Sequence, residues 1–217
     1  MKLNLLLIVL FTSAIVKAQV TPGSLFIGGD LQLSGSTSKG ESPVESTIKS
    51  NYYYLSPVVG WAVKENLVVG GRLTGSLVKS SNSQPYSTQD GYGLGAGVFA
   101  RKYLPLGKSF YLFGDASLNG QYNHKVQENS VGIYELEENG YSVAISIYPG
   151  IAYQVNKSLF VEASLNNFAS LGYSHNKVEQ NAGSQVIVSK NNSYQLSSSI
   201  GSTNPLQLGF RWIIPKK

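Results

Sequence analysis

The sequence predicts an all-β fold, an eight-stranded antiparallel up-and-down transmembrane β-barrel, and three observations support it. Apolar and polar residues alternate with a period of two along about eight segments, as in strands with one apolar and one wet face. Short and long connections alternate between these segments, as in barrels with short turns on one side and longer loops on the other. The composition, with 23 Gly, 14 Tyr and 13% charged residues, favours strands and turns.

The N-terminus predicts a signal peptide at residues 1–18. Met1-Lys2 precedes an apolar run that reaches Val16, and Ala18 provides a small residue at the cleavage site. The run is too short for a transmembrane helix, which needs about 18 apolar residues. The barrel domain is therefore predicted to occupy residues 19–217 and to be exported. Because the chain has no cysteine, burial and a closed hydrogen-bond ladder must hold it together in place of disulfides.

The predicted strands are runs of about the length that crosses a bilayer when tilted. They cover residues 25–34, 53–62, 67–77, 94–103, 112–119, 141–154, 159–166 and 206–214. Aromatic residues lie near the ends of their apolar faces, where barrels carry aromatic girdles at the two membrane interfaces. These are Tyr53, Trp61, Tyr92, Phe110, Tyr141, Tyr153 and Trp212.

The connections are of two kinds. Residues 64–66, 105–109 and 156–158 form short turns, and the long polar segments 35–49, 78–91, 122–140 and 171–193 are predicted to be four external loops. A soluble sandwich has no reason to segregate loop length by side. With both termini on the short-turn side, an even number of strands follows.

Three acids and three bases fall on the predicted inner face: Asp30, Arg72, Arg101, Asp115, Glu162 and Arg211. An eight-stranded barrel is just wide enough for side chains to fill, and unpaired buried charges are costly. We therefore expect an ion-pair network that plugs the lumen and leaves no continuous pore. The alternative is that these charges line a path for protons or ions.

The C-terminal segment carries a specific pattern. A polar Gln207 is followed by Gly209 and then by Trp212 and Ile214 at alternate positions. This segment resembles the assembly signal of small outer-membrane barrels of the OmpA/OmpX type, except that the chain continues to Pro215-Lys216-Lys217. The resemblance covers the mature sequence and implies residence in the outer membrane, with outer-membrane lipid and the barrel assembly machinery as partners. We expect a monomer.

The sequence shows no pattern typical of a catalytic, metal or cofactor site. Its histidines, His124 and His175, fall in the predicted loops without an obvious orienting carboxylate, and two histidines without cysteine make a poor zinc site. Gly91–Gly97 resembles a phosphate-binding loop but precedes no helix, and we expect its glycines to make room for tyrosine side chains in a narrow lumen. A net charge of +5 without a basic cluster does not indicate nucleic-acid binding.

These patterns favour a structural or surface-interaction protein whose loops contact envelope or surface ligands. Two alternatives stay open. A soluble, lipocalin-like periplasmic protein would carry a small apolar ligand and would need its apolar face inward. A lipid-modifying barrel enzyme would depend on His124 or His175.

Overall fold

The computed structural model describes residues 20–40, 45–83, 86–107, 109–129, 134–165, 168–182, 185–198 and 206–216. The predicted signal peptide lies outside these residues. Within them the chain forms ten strands: β1 (Leu25–Gly40), β2 (Ser46–Lys64), β3 (Leu67–Ser83), β4 (Tyr86–Gly107), β5 (Phe110–Asn129), β6 (Tyr134–Gln154), β7 (Leu159–Leu165), β8 (Ala169–Ala182), β9 (Gln185–Ser197) and β10 (Leu206–Ile214). In the described part of the chain, no helix is long and apolar enough to cross a membrane.

The strands form a closed antiparallel ring of eight. Neighbouring strands pair from β1 through β7, β7 pairs with β10, and β10 pairs with β1. The all-β antiparallel prediction is thus confirmed. The seventh and eighth predicted strands correspond to β7 and β10. The two additional strands, β8 and β9, lie outside the ring and cover most of the segment 171–193, which was predicted to be a loop. β6 pairs with β7 through Gly150–Gln154 and with β8 through Tyr134–Ile147, so β7 and β8 lie end to end along it. β9 pairs with β8.

The prediction of four long loops is wrong. β4, β5 and β6 contain 22, 20 and 21 residues, so most of 35–49, 78–91, 122–140 and 171–193 is strand. These segments lack apolar alternation because both of their faces are polar, and a hydrophobic period cannot reveal a strand with two wet faces. Their tips, residues 41–44, 84–85, 130–133 and 183–184, lie outside the described residues. We call this side of the ring the hairpin end and the other side the short-turn end.

The outer face of the ring is apolar. Along β6, Val143, Ile145, Ile147 and Ile151 are about half exposed, and the other ring strands present similar side chains outward. All seven predicted girdle aromatics are exposed on this face. Trp61, Phe110, Tyr153 and Trp212 lie towards the short-turn end, and Tyr53, Tyr92 and Tyr141 lie towards the hairpin end.

The inner face at the short-turn end holds an aromatic core that the sequence analysis missed. Its buried members include Phe26, Phe99, Tyr103, Tyr111, Phe113 and Phe160. Residues just before β1 close this end: Val20 is 1% exposed, and its carbonyl accepts a hydrogen bond from the Asn66 amide at 3.0 Å. Asn66 has φ +57°, a conformation that asparagine tolerates better than most residues. The ring is therefore filled at this end by a hydrophobic layer.

Candidate functional site

The candidate site is a chain of buried charges in the lumen, beside the aromatic core. Asp115 of β5 lies at one side of it, where Arg72 Nη2 is 3.1 Å from Asp115 Oδ1. Arg101 of β4 also contacts this carboxylate, with 2.8 Å between Nη2 and Oδ2. Two arginines from neighbouring strands therefore share one acid.

Arg101 extends the chain across the lumen to β7. Its Nη1 is 2.5 Å from Glu162 Oε2, and Arg211 Nε of β10 is 3.3 Å from the same oxygen. Arg211 then pairs with Asp30 of β1. The six predicted residues thus form one alternating sequence of base and acid: Arg72, Asp115, Arg101, Glu162, Arg211 and Asp30.

Neutral groups complete the polar contacts of this ion-pair chain. The Tyr103 hydroxyl donates to Glu162 Oε1 at 2.5 Å, and Arg211 Nη1 donates to the carbonyls of Gly29 at 2.5 Å and Phe210 at 3.0 Å. All six charged residues are buried, from Arg211 at 0% to Arg72 at 6% exposed. Three positive and three negative charges balance, which is the condition under which burying them is tolerable.

Aromatic rings of the core lie against the guanidinium groups. Arg101 Cζ is 4.4 Å from the ring centroid of Phe113, and Arg72 Cζ is 5.2 Å from that of Phe99, distances typical of cation–π contacts. Phe99 and Phe113 lie at inward positions of β4 and β5, and both are buried. The sequence signal for the aromatic core is that large aromatic residues occupy inward positions next to the charged residues. The ion pairs and the rings lie side by side on the inner face of the ring.

The glycine-rich part of β4 is covered by amide side chains of the next strand. Gly93 and Gly97 face inward, and a Cβ at Gly97 would lie 2.1 Å from Asn119 Oδ1. At Gly93 it would lie 2.4 Å from Gln121 Nε2. The expectation that tyrosine side chains use this space is therefore wrong. Asparagine and glutamine of β5 occupy it instead.

The two histidines lie in strands, which corrects their assignment to loops. His124 is in β5 and its Nδ1 is 2.8 Å from Asn139 Oδ1. Glu137 Oε1 lies 3.7 Å from the same nitrogen, so His124 does have a carboxylate nearby, which β5–β6 pairing supplies. His175 is in β8, with its Nδ1 2.6 Å from Asn192 Oδ1. The part of the chain that the structure describes contains no group of three potential metal ligands among His, Cys, Asp and Glu.

The C-terminal motif forms β10, the strand that closes the ring between β7 and β1. Gln207 and Gly209 face inward, and Trp212 and Ile214 are about half exposed on the outer face. A Cβ at Gly209 would lie 2.7 Å from Asp30 Oδ1. The glycine of the motif therefore leaves the space that the Asp30–Arg211 ion pair occupies.

Comparison with known proteins gives matches among solved structures only. No protein-family model matches the chain, and no curated protein matches it. Among solved structures, the chain is similar to the crystal structure of Neisserial surface protein A (NspA), with 16% sequence identity, a TM-score of 0.37, and coverage of 87% of this chain and 96% of that chain. The fold assignment rests on the strand pairing of the chain itself, and the OmpA/OmpX resemblance stays a prediction.

Proposed function

We propose that this protein is an eight-stranded β-barrel of an outer membrane, with a blocked lumen and a structural or surface-interaction role. The observation that supports this most strongly is the polarity of the ring. Its outer face carries exposed apolar side chains on every ring strand, while its inner face buries six charged residues. In water this arrangement would expose an apolar surface far beyond a normal patch. In a bilayer it is the arrangement expected of a barrel.

The height of the apolar surface supports a membrane-spanning role. On β6 the outward aromatics Tyr141 and Tyr153 lie twelve positions apart. At about 3.4 Å per residue and a tilt of about 45°, their separation along the membrane normal is about 30 Å. This is close to the thickness of a bilayer hydrocarbon core. The aromatic side chains would therefore lie at the two interfaces.

The side chains inside the ring favour a barrel that does not conduct ions. The ion-pair chain connects β1, β3, β4, β5, β7 and β10, and the aromatic core fills the short-turn end. A barrel of about eight strands is just wide enough for side chains to fill. A proton or ion path would require these pairs to separate.

The hairpin end supports a surface role. The β4–β5 and β5–β6 ladders continue past Tyr92 and Tyr141 to Ser87↔Asn129 and Glu128↔Glu135, so these strands would project outside the membrane as a paired, polar sheet. Surface ligands would contact the polar strands of this projecting sheet. The lipocalin-like alternative is disfavoured because it needs the apolar strand faces inside. His124 and His175 face outward beside the apolar surface, and we propose no enzymatic role for them.

Membrane fractionation and gel mobility test the proposal. The protein is expected to pellet with outer membranes after cell disruption and to migrate faster on SDS gels unboiled than boiled, because a closed barrel resists SDS until heated. Recovery in the soluble periplasmic fraction, with the same mobility before and after boiling, would contradict it. A soluble periplasmic protein from the same cells serves as the fractionation control.

A further inference from the structure

The outer face carries the same four-residue arrangement twice at the hairpin end. In the first, Tyr122 lies opposite Tyr141 and His124 lies opposite Asn139. In the second, the equivalent residues are Tyr173, Tyr194, His175 and Asn192. Identical strand register thus builds two matching polar clusters just beyond the apolar surface.

Hydrogen bonds fix the histidine ring in both clusters. Asn139 Oδ1 accepts from the Tyr122 hydroxyl at 2.7 Å, and Asn192 Oδ1 accepts from the Tyr173 hydroxyl at 3.0 Å. The same oxygens lie within hydrogen-bond distance of the histidine Nδ1 atoms. Because an amide oxygen only accepts, Nδ1 carries the proton. In both clusters Nε2 is then the ring nitrogen left to contact another molecule.

The charges two residues further out differ between the clusters. Beyond His175, Lys177 lies opposite Lys190. Beyond His124, Val126 lies opposite Glu137, whose carboxylate is 3.7 Å from the histidine. Lys177 also contacts Glu179, whereas no described contact pairs Lys190 with an acid. Lys177, Lys190 and Glu179 together leave the second cluster with a net charge of +1, whereas Glu137, which lies opposite Glu179 on β6, makes the first cluster negative.

Along β8 and β9, the side chains of the second cluster change in order from apolar to aromatic, then polar, then charged. Leu171 and Leu196, 57% and 82% exposed, lie opposite each other below it. Tyr173 and Tyr194 follow, then His175 and Asn192, then the two lysines, over about 20 Å of strand. Acyl chains, interface and charged headgroups follow in the same order in a lipid leaflet.

From this order we infer that the cluster binds the phosphate-bearing headgroup of a lipid in the external leaflet. We call it the β8–β9 site: Tyr173, His175, Lys177, Lys190, Asn192 and Tyr194. Lys190 and Lys177 contact the phosphate, His175 Nε2 hydrogen-bonds to the headgroup, and the two tyrosines pack where acyl chains meet the headgroup. The inference rests on the proposed function, because a lipid is within reach only if the ring spans a membrane.

Retention of a phosphorylated lipid by the reconstituted protein tests this inference. The mature protein is placed in phosphatidylcholine vesicles that contain diphosphorylated lipid A, extracted mildly, and its bound lipid is counted by native mass spectrometry. The double variant Lys177→Gln/Lys190→Gln is expected to retain about tenfold less lipid A, which corresponds to about 1.4 kcal/mol. Lys49→Gln/Lys79→Gln is the matched control, since it removes the same charge from exposed outward positions of β2 and β3, and its retention should not change.

The histidines provide a second comparison. His175→Gln is expected to lower retention several-fold, while His124→Gln, in the cluster with Glu137, should leave it unchanged. Equal retention of dephosphorylated lipid A, or an equal loss in the Lys49/Lys79 control, would overturn the inference. Displacement of lipid A by inorganic phosphate alone would also overturn it, because the ligand would then be a free anion. If the wild-type protein does not insert into vesicles, the proposed function fails first.

Discussion

Glu162 is the residue on which the lumenal chain of charges depends most. It lies between Arg101 and Arg211 and also accepts the Tyr103 hydroxyl hydrogen bond. Replacing it by glutamine keeps the shape but leaves two buried guanidinium groups without their common acid. Loss of one partner of a buried pair costs about 3–5 kcal/mol.

The variant Glu162→Gln should therefore lower the free energy of unfolding by about 3–5 kcal/mol. Urea unfolding in lipid vesicles, followed by the fluorescence of Trp61 and Trp212, measures this. Glu137→Gln is the control, because its side chain is 42% exposed and surface substitutions change stability by about 0.5 kcal/mol or less. Equal midpoints for the two variants would show that the lumenal charges are not tightly coupled.

Two glycines give a matched test of side-chain packing inside and outside the ring. At Gly97 a Cβ would lie 2.1 Å from Asn119 Oδ1 and 2.5 Å from the Leu118 carbonyl oxygen, whereas at Gly114 nothing lies within 4 Å. Gly97→Ala is expected to destabilise the ring by about 1–3 kcal/mol, as overpacking does. Gly114→Ala should be neutral or slightly stabilising, because alanine restricts the unfolded chain. The same unfolding assay compares them, and equal stability would contradict the packing of β5 amides over β4.

At the scale of elements, β9 is the least supported strand. Within the described residues it pairs with β8 alone, while the β1–β10 ladder ends at Leu31↔Leu208. Residues in β9 are almost all exposed, whereas β5 has a partner on both sides along its length.

Backbone amides of β9 are therefore expected to exchange with solvent at least about 100-fold faster than those of β5, since local opening free energies are lowest in weakly packed elements. Hydrogen exchange by NMR in micelles measures this. The middle of β5, from Leu112 to Leu118, is the internal control. Equal protection of β9 and β5 would mean that β9 has a further pairing partner.

Some parts of these strands could be predicted from the sequence, and others could not. The alternation of apolar and polar residues predicted the strands of the ring and the inward position of all six charges, because one face of each strand is apolar. The alternation is absent beyond the apolar surface, so the strands could not be predicted there. In this region β1 continues to Gly40 and β2 begins at Ser46, and both strands carry polar residues on both faces. The proximity of Glu137 to His124 was not predictable, since it depends on the register of β5 and β6 in a region taken as loop.

For the whole molecule, the proposed blocked lumen predicts an absence of conduction. Mature protein incorporated into planar bilayers should give no stable single-channel currents, because the ion pairs and the aromatic core occupy the interior. A 16-stranded porin is the positive control for incorporation and recording. Reproducible unitary currents from the wild-type protein would contradict the blocked lumen and favour the ion-path alternative.

The proposed function requires that the apolar outer face of the ring contacts lipid. Because the chain contains no cysteine, single cysteines can be introduced at Ala116 and Leu118, on the outer face of β5, and at Glu128, near its hairpin tip. In outer membranes of intact cells, a membrane-impermeant maleimide is expected to label Glu128→Cys rapidly and to leave Ala116→Cys and Leu118→Cys unlabelled until the protein is denatured. Labelling of all three at the same rate before denaturation would contradict it.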